Sequence, residues 1–166
     1  MNIILIGFMR SGKSTISQEL GKRLGLAVVD MDDMIEQKAQ MRTPKIFEKF
    51  GENRFRELET EVAMEVGSMR DIIVATGGGV IVYSINIEYL KQNGGKIIYL
   101  HTSFDEIKRR VQKHSRPRPL FKNTEEAKKL YLLRLSTYQH VSDIAITTDN
   151  KEISVIVDEI IRQLNV

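Results

Sequence analysis

Residues Gly7-Phe8-Met9-Arg10-Ser11-Gly12-Lys13-Ser14-Thr15 have the spacing G-x-x-x-x-G-K-S, the pattern of a phosphate-binding loop. That pattern does its chemistry between a strand and the start of a helix. There the first backbone N–H groups have no partner inside the helix and point at an anion. Asn2 to Ile6 is a short isoleucine-rich run suited to a buried strand. Ile16, Leu20 and Leu24 recur at four-residue spacing, suited to a helix packed on one face. Arg10, Ser11, Gly12, Lys13, Ser14 and Thr15 are therefore candidate nucleotide-binding residues. Lys13 can reach the outer phosphates, and the Ser14 hydroxyl can ligate Mg²⁺. A glycine-containing turn before an ordinary helix is the competing reading, and the strand–helix context weighs against it.

Asp30-Met31-Asp32 is a second constellation. Two residues apart at a strand exit, both carboxylates can face one side. Many phosphate-loop enzymes hold Mg²⁺ with an acid at the end of a later strand. The third strand here ends in Ala75-Thr76-Gly77 without one. Asp30 is thus the candidate metal residue beside Ser14, acting through water. Asp32 is left to bind substrate hydroxyls or accept a proton, while Asp33 reads better as a helix cap. Gly77, Gly78 and Gly79 follow Thr76 at a strand end, useful where backbone must approach a ligand and offer bare N–H groups. Arg134 falls on the inward stripe of its helix with Leu130 and Tyr138, and Arg56 sits beside Phe55. Two guanidiniums could clamp a carboxylate; pairing with Glu57 or Glu59 explains them equally well. Arg116-Pro117-Arg118-Pro119 reads as a lid whose arginines supply charge for a transferring phosphoryl group, with a basic surface loop as its rival.

The elements that must position these groups alternate along the chain. Strands are predicted at 2–6, 26–30, 72–75, 96–100 and 144–147. A helix follows the phosphate loop, and another starts at Asp33, where Asp33 and Glu36 resemble a capping box. Thr43-Pro44 opens a helical turn that Gly51 ends. A longer helix through Phe55, Leu58, Val62 and Val66 follows. Further helices are predicted near 85–92, 104–113, 125–140 and 153–164. Short apolar strands alternating with helices imply right-handed crossovers and a parallel sheet covered on both faces. In such α/β sheets ligands bind beyond the strand C-termini. Gly7, Asp30 and Gly77 all follow strand ends, so they should meet in one crevice.

The 166 residues are enough for one domain. Without cysteine there are no disulfides or cysteine zinc sites, and three scattered histidines lack metal-ligand spacing. No apolar run approaches a membrane span, and no leader pattern opens the chain. A cytoplasmic protein with no membrane partner is the expectation. The net charge of +3 is too weak to argue for nucleic acid. A basic stretch, with ten Lys or Arg against four acids between His101 and His140, suits a nucleotide polyphosphate. No nucleic-acid partner is expected.

Taken together, these motifs resemble the shikimate kinase family. The matching pieces are the loop at Gly7 to Thr15, D-x-D at Asp30 to Asp32, and G-E-x-x-F-R-x-x-E at Gly51 to Glu59. They continue with T-G-G-G at Thr76 to Gly79, R-P-L at Arg118 to Leu120, and R-x-x-x-Y at Arg134 to Tyr138. The resemblance implies an α/β, three-layer P-loop kinase fold with a five-stranded parallel sheet of order 2-3-1-4-5. It implies one kinase domain over 1–166, with a substrate-binding segment at about 31–60 and a lid at about 112–123. The implied activity is ATP-dependent, Mg²⁺-assisted phosphorylation of the 3-hydroxyl of shikimate. By the same resemblance Lys13, Asp32 and Arg118 are catalytic. Asp32, Arg56, Gly77, Gly78, Gly79 and Arg134 bind shikimate, and Arg118 meets the ATP phosphates. Lys151 is an adenine neighbour, although the family's proline is missing from 149–153. The family usually has glycine where this chain has Arg10. If that position needs positive φ, arginine costs roughly 1–2 kcal/mol. A monomer is expected. A gluconate-type sugar-acid kinase and a non-catalytic ATP-binding module are the alternatives.

Overall fold

Strand β1 (Ile3–Ile6) is buried at all four positions, as an apolar strand covered on both faces must be. The computed structural model describes residues 1–113 and 123–166. In it β1 pairs in parallel with β3 (Ile72–Ala75) on one side and β4 (Lys96–His101) on the other. Strands β2 (Ala27–Asp30) and β5 (Ile144–Thr147) extend the sheet outward, in parallel register with β3 and β4. The order is β2-β3-β1-β4-β5, the expected one.

Alternation along the strands divides the core. Ile3, Leu5, Ile73, Ile98 and Leu100 join Ile16 and Leu20 of α1 (Lys13–Leu24) and Ile156, Val157 and Ile160 of α7 (Ile153–Leu164). Ile4, Ile6, Val74, Ile97 and Tyr99 face the opposite way, toward a second cluster. That cluster draws on α2 (Met31–Ala39), α3 (Thr43–Ser68), α4 (Ser84–Lys91), α5 (Phe104–Gln112) and α6 (Thr124–Val141). Full burial of each such side chain contributes about 1.5–3 kcal/mol. The result is helices on both faces of one sheet. None of the helices among the described residues is long and apolar enough to cross a membrane.

Two boundaries carry information. Gly51 breaks α3 with φ 81° and ψ 175°, so the helical turn opened by Thr43-Pro44 does end there and the chain restarts in a new direction. The expected capping box at Asp33 is not formed. Asp30 is the N-cap of α2, accepting from the backbone N–H groups of Asp32 and Asp33. The reason is positional: Asp30 is still extended at φ −103°, the conformation an N-cap requires. Asp33 already lies in the first helical turn.

Candidate active site

The phosphate loop leaves β1 and turns into α1 through Gly12, at φ 98°. No side chain caps α1 among the described residues, so its first N–H groups are left for an anion. Ser11 is buried, and Ser14 and Thr15 are exposed at the mouth. Lys13 Nζ donates to the Gly7 carbonyl (2.7 Å), the Phe8 carbonyl (3.0 Å) and Ser11 Oγ (3.4 Å). Those bonds hold the ammonium against the crest of the loop. Arg10 has φ 62°, so its position does require the left-handed region, and arginine bears the strain there. The Arg10 carbonyl accepts from Arg110 Nη1 at 2.8 Å. Arg110 also meets Glu106 (3.0 Å) and Thr148 (3.4 Å), which ties the loop to α5 and to the end of β5.

The acidic side begins at Asp30. Its Oδ1 caps α2, while its Oδ2 accepts from Ser14 Oγ at 3.1 Å. Asp32 reaches the site from the first turn of α2, rather than by strand alternation as the sequence suggested. The Thr76–Gly79 run forms the seam between the groups. A Cβ built on Gly77 would lie 2.9 Å from Asp32 Oδ1 and 3.2 Å from Glu59 Oε2. One built on Gly78 would lie 3.6 Å from both Arg134 Nη1 and the Met9 nitrogen, and 3.7 Å from the Gly7 carbonyl oxygen. One built on Gly79 would fall 2.2 Å from Arg56 Nη1. Each glycine thus allows the approach of a different polar group, and Gly78 brings the phosphate loop and Arg134 to one place.

Arg56 is buried and pairs with Glu59 at 2.9 Å and with Glu52 at 3.5 Å. The local-glutamate pairing is realised, and the guanidinium lies against Gly79. Arg56 Nε is buried without a hydrogen-bond partner among the described residues. Glu59 is raised above the ordinary carboxylate value. Burial is the main cause, offset by Arg56 and reinforced by the negative charge of Asp32. Tyr138 donates its hydroxyl to the Gly78 carbonyl and stacks on Tyr99.

A cleft of about 670 Å³ runs from Asp32, Thr76 and Gly78 past the loop to Glu106, Arg110, Asn150 and Lys151. Lys151 lines its far end, paired with Glu159 at 2.7 Å. Glu106 is pulled down to about 2 by its hydrogen bonds and charge interactions with Arg109 and Arg110, against its desolvation. Asp149, one residue beyond Thr148, holds the Ser103 backbone at 2.9 Å and so ties the start of α5 to the β5–α7 loop. Arg116 and Arg118 lie outside the described residues, as does most of the expected lid. Sequence reading missed the site roles of Glu59 and Arg110. Glu59 was visible as a partner for arginine and as the end of the G-E-x-x-F-R-x-x-E run, without a role of its own. Arg110 was one cation in a basic run, and its partner Arg10 is 100 residues distant.

A family model described as shikimate kinase matches residues 9–165. A shikimate kinase of Staphylococcus haemolyticus is 42% identical over 164 residues, covering 98% of this chain and 93% of that protein. The chain belongs to the shikimate kinase family. A Streptococcus thermophilus member is 40% identical over 152 residues, covering 89% of this chain and 91% of its own length. Among solved structures, the Acinetobacter baumannii shikimate kinase in complex with shikimate matches at TM-score 0.90 and 33% identity, covering 99% of this chain and 92% of that one. Family membership makes the chain a kinase, hence a phosphotransferase on a phosphate-loop fold. A gluconokinase of Sinorhizobium meliloti, at TM-score 0.61 and 14% identity, shares the fold alone.

Proposed function

We propose that this chain transfers the γ-phosphoryl group of ATP to the 3-hydroxyl of shikimate. The observation that carries the reading is the glycine seam. Its three glycines lie against a carboxylate (Asp32), two guanidiniums (Arg56 and Arg134) and the phosphate loop. An alcohol that also bears a carboxylate fits this set. The buried, unmatched Arg56 Nε is a donor suited to an anionic oxygen. The relative with shikimate bound supports that choice of acid.

Arg56 and Arg134 bind the acid's carboxylate, and Gly77, Gly78 and Gly79 line its pocket. Asp32 orients the reacting hydroxyl and takes its proton. The freed oxygen attacks the γ-phosphorus in line, the bond to the bridging oxygen breaks, and ADP leaves. Lys13 exchanges its loop carbonyls for phosphate oxygens, and Arg118 holds the migrating group as the lid over 112–123 excludes water. Arg10, Ser11, Gly12, Ser14 and Thr15 complete the phosphate cradle, and Lys151 borders the adenine.

Ser14 and Asp30 fit a magnesium ion: a hydroxyl and a carboxylate oxygen 3.1 Å apart are hard donors. An ion held by these two groups keeps most of its waters. Bound there, it would neutralise charge on the outer phosphates. The whole chain acts as one domain and one monomer, with 31–60 as the substrate segment.

A coupled assay of ADP release, run with shikimate and gluconate side by side, tests the reading. Shikimate-dependent release with none above background for gluconate is expected. Release indifferent to shikimate would overturn it.

A further inference from the structure

Three carbonyls leave the glycine run, and they are held differently. The Gly77 carbonyl accepts from the Val80 N–H at 3.2 Å, and the Gly79 carbonyl accepts from the Val82 N–H at 3.0 Å. The Gly78 carbonyl accepts from a side chain, the hydroxyl of Tyr138. A peptide between two glycines has little steric preference to set its plane. In a trans peptide the carbonyl and the following N–H point in opposite directions. Whatever holds the Gly78 carbonyl therefore also aims the Gly79 N–H, and the Arg56 guanidinium lies against the α-carbon of the same residue.

We propose that Tyr138 is a positioning residue that sets the acid-binding face of this pocket by locking the Gly78–Gly79 peptide against Arg134. The inference deepens the proposed function and rests on it for the identity of the acid. Four observations support it. Tyr138 is 1% exposed, so its hydroxyl is shielded from competing water. Its ring stacks on Tyr99 of β4 at 5.2 Å and 16°, which fixes the hydroxyl relative to the sheet. Arg134, one helical turn earlier on α6, carries its positive charge near the same phenol. Burial raises the phenol to about 12, so it remains a neutral donor throughout the working range. The hydroxyl thus holds the turn at Gly78, beside which the Arg134 guanidinium lies. Its loss leaves the ring and the core packing in place but frees the Gly78 carbonyl.

Tyr138→Phe removes only the oxygen. The expected result is a rise in the KM for shikimate of about tenfold, the worth of one buried hydrogen bond in a preformed site. The KM for ATP and kcat should stay within about twofold, since the phosphate loop is untouched. In the ligand-free protein, amide hydrogen exchange at Gly79 should accelerate by about tenfold as the peptide is released. An unchanged shikimate KM, or an ATP KM that rises in parallel, overturns the proposal. So does unchanged exchange at Gly79, and that readout holds whatever the substrate is. Wild-type protein that releases no ADP with shikimate would refute the proposed function, with the exchange measurement still deciding the role of Tyr138.

Discussion

At Gly79 a single added methyl would collide with the Arg56 guanidinium at 2.2 to 2.6 Å. Gly79→Ala should therefore push Arg56 from its seat and raise the KM for shikimate by about 10–100-fold, the usual loss for a charge-assisted hydrogen bond. Steady-state kinetics with each substrate varied separately would show this, with the ATP KM unchanged. Glu59 gives a second test through pH. Its carboxyl is raised above 4.5 mainly by burial, so the folded protein binds that proton more tightly than the unfolded chain does. Stability from this group is therefore fully present below the unfolded value and lost as pH rises through the folded one. Glu59→Gln should lack that fall, so urea midpoints of variant minus wild type should climb as pH rises from 4.5 and then level off. A difference independent of pH would contradict the assignment. Residue types read from the sequence singled out Lys13, Asp32, Arg56 and Arg134, because each lies in a spaced motif. Glu59 ends the same G-E-x-x-F-R-x-x-E run as Arg56, but its burial is not encoded by spacing, and neither is the contact of Arg110 with Arg10.

The helices differ in how much of their placement was readable. The runs of α1 and α7 carry clear apolar stripes, and both pack where those stripes require. The start of α2 was misread because Asp30, Asp32 and Asp33 are all competent caps. Only the backbone conformation at Asp30 decides among them. The packing of α3 on α4 was not legible either. A Cβ on Gly67 would meet the Tyr89 carbonyl oxygen at 2.1 Å, so the two helices touch backbone to backbone there. Gly67→Ala should cost about 1–3 kcal/mol of stability from overpacking, measured by urea unfolding, while leaving both KM values alone. The tie between α5 and the phosphate loop makes the opposite kind of prediction. Arg110→Ala frees the Arg10 carbonyl and should raise the KM for ATP by about tenfold, with the shikimate KM little altered.

Across the whole molecule, function follows from one feature of the topology. β1, β2 and β3 are neighbours in the sheet, run parallel, and end on the same side. Their tips carry Gly7, Asp30 and Thr76, so the phosphate loop, the aspartates and the glycine run meet without any long excursion of the chain. This convergence was legible because alternating short strands and helices leave few topologies. The strained φ at Arg10 was not, because the sequence alone left its backbone conformation open. Lys13→Met should abolish transfer while the circular dichroism spectrum and unfolding midpoint stay near wild type.

The central claim is that the crevice presents one hydroxyl of shikimate to the nucleotide's terminal phosphorus. Phosphorus NMR of the reaction mixture, with the coupling used to assign the esterified carbon, measures this directly. A single phosphate ester at the 3-hydroxyl, formed in step with ADP and absent with Lys13→Met, is the predicted result. Inorganic phosphate without an ester, or an ester at another hydroxyl, would contradict it.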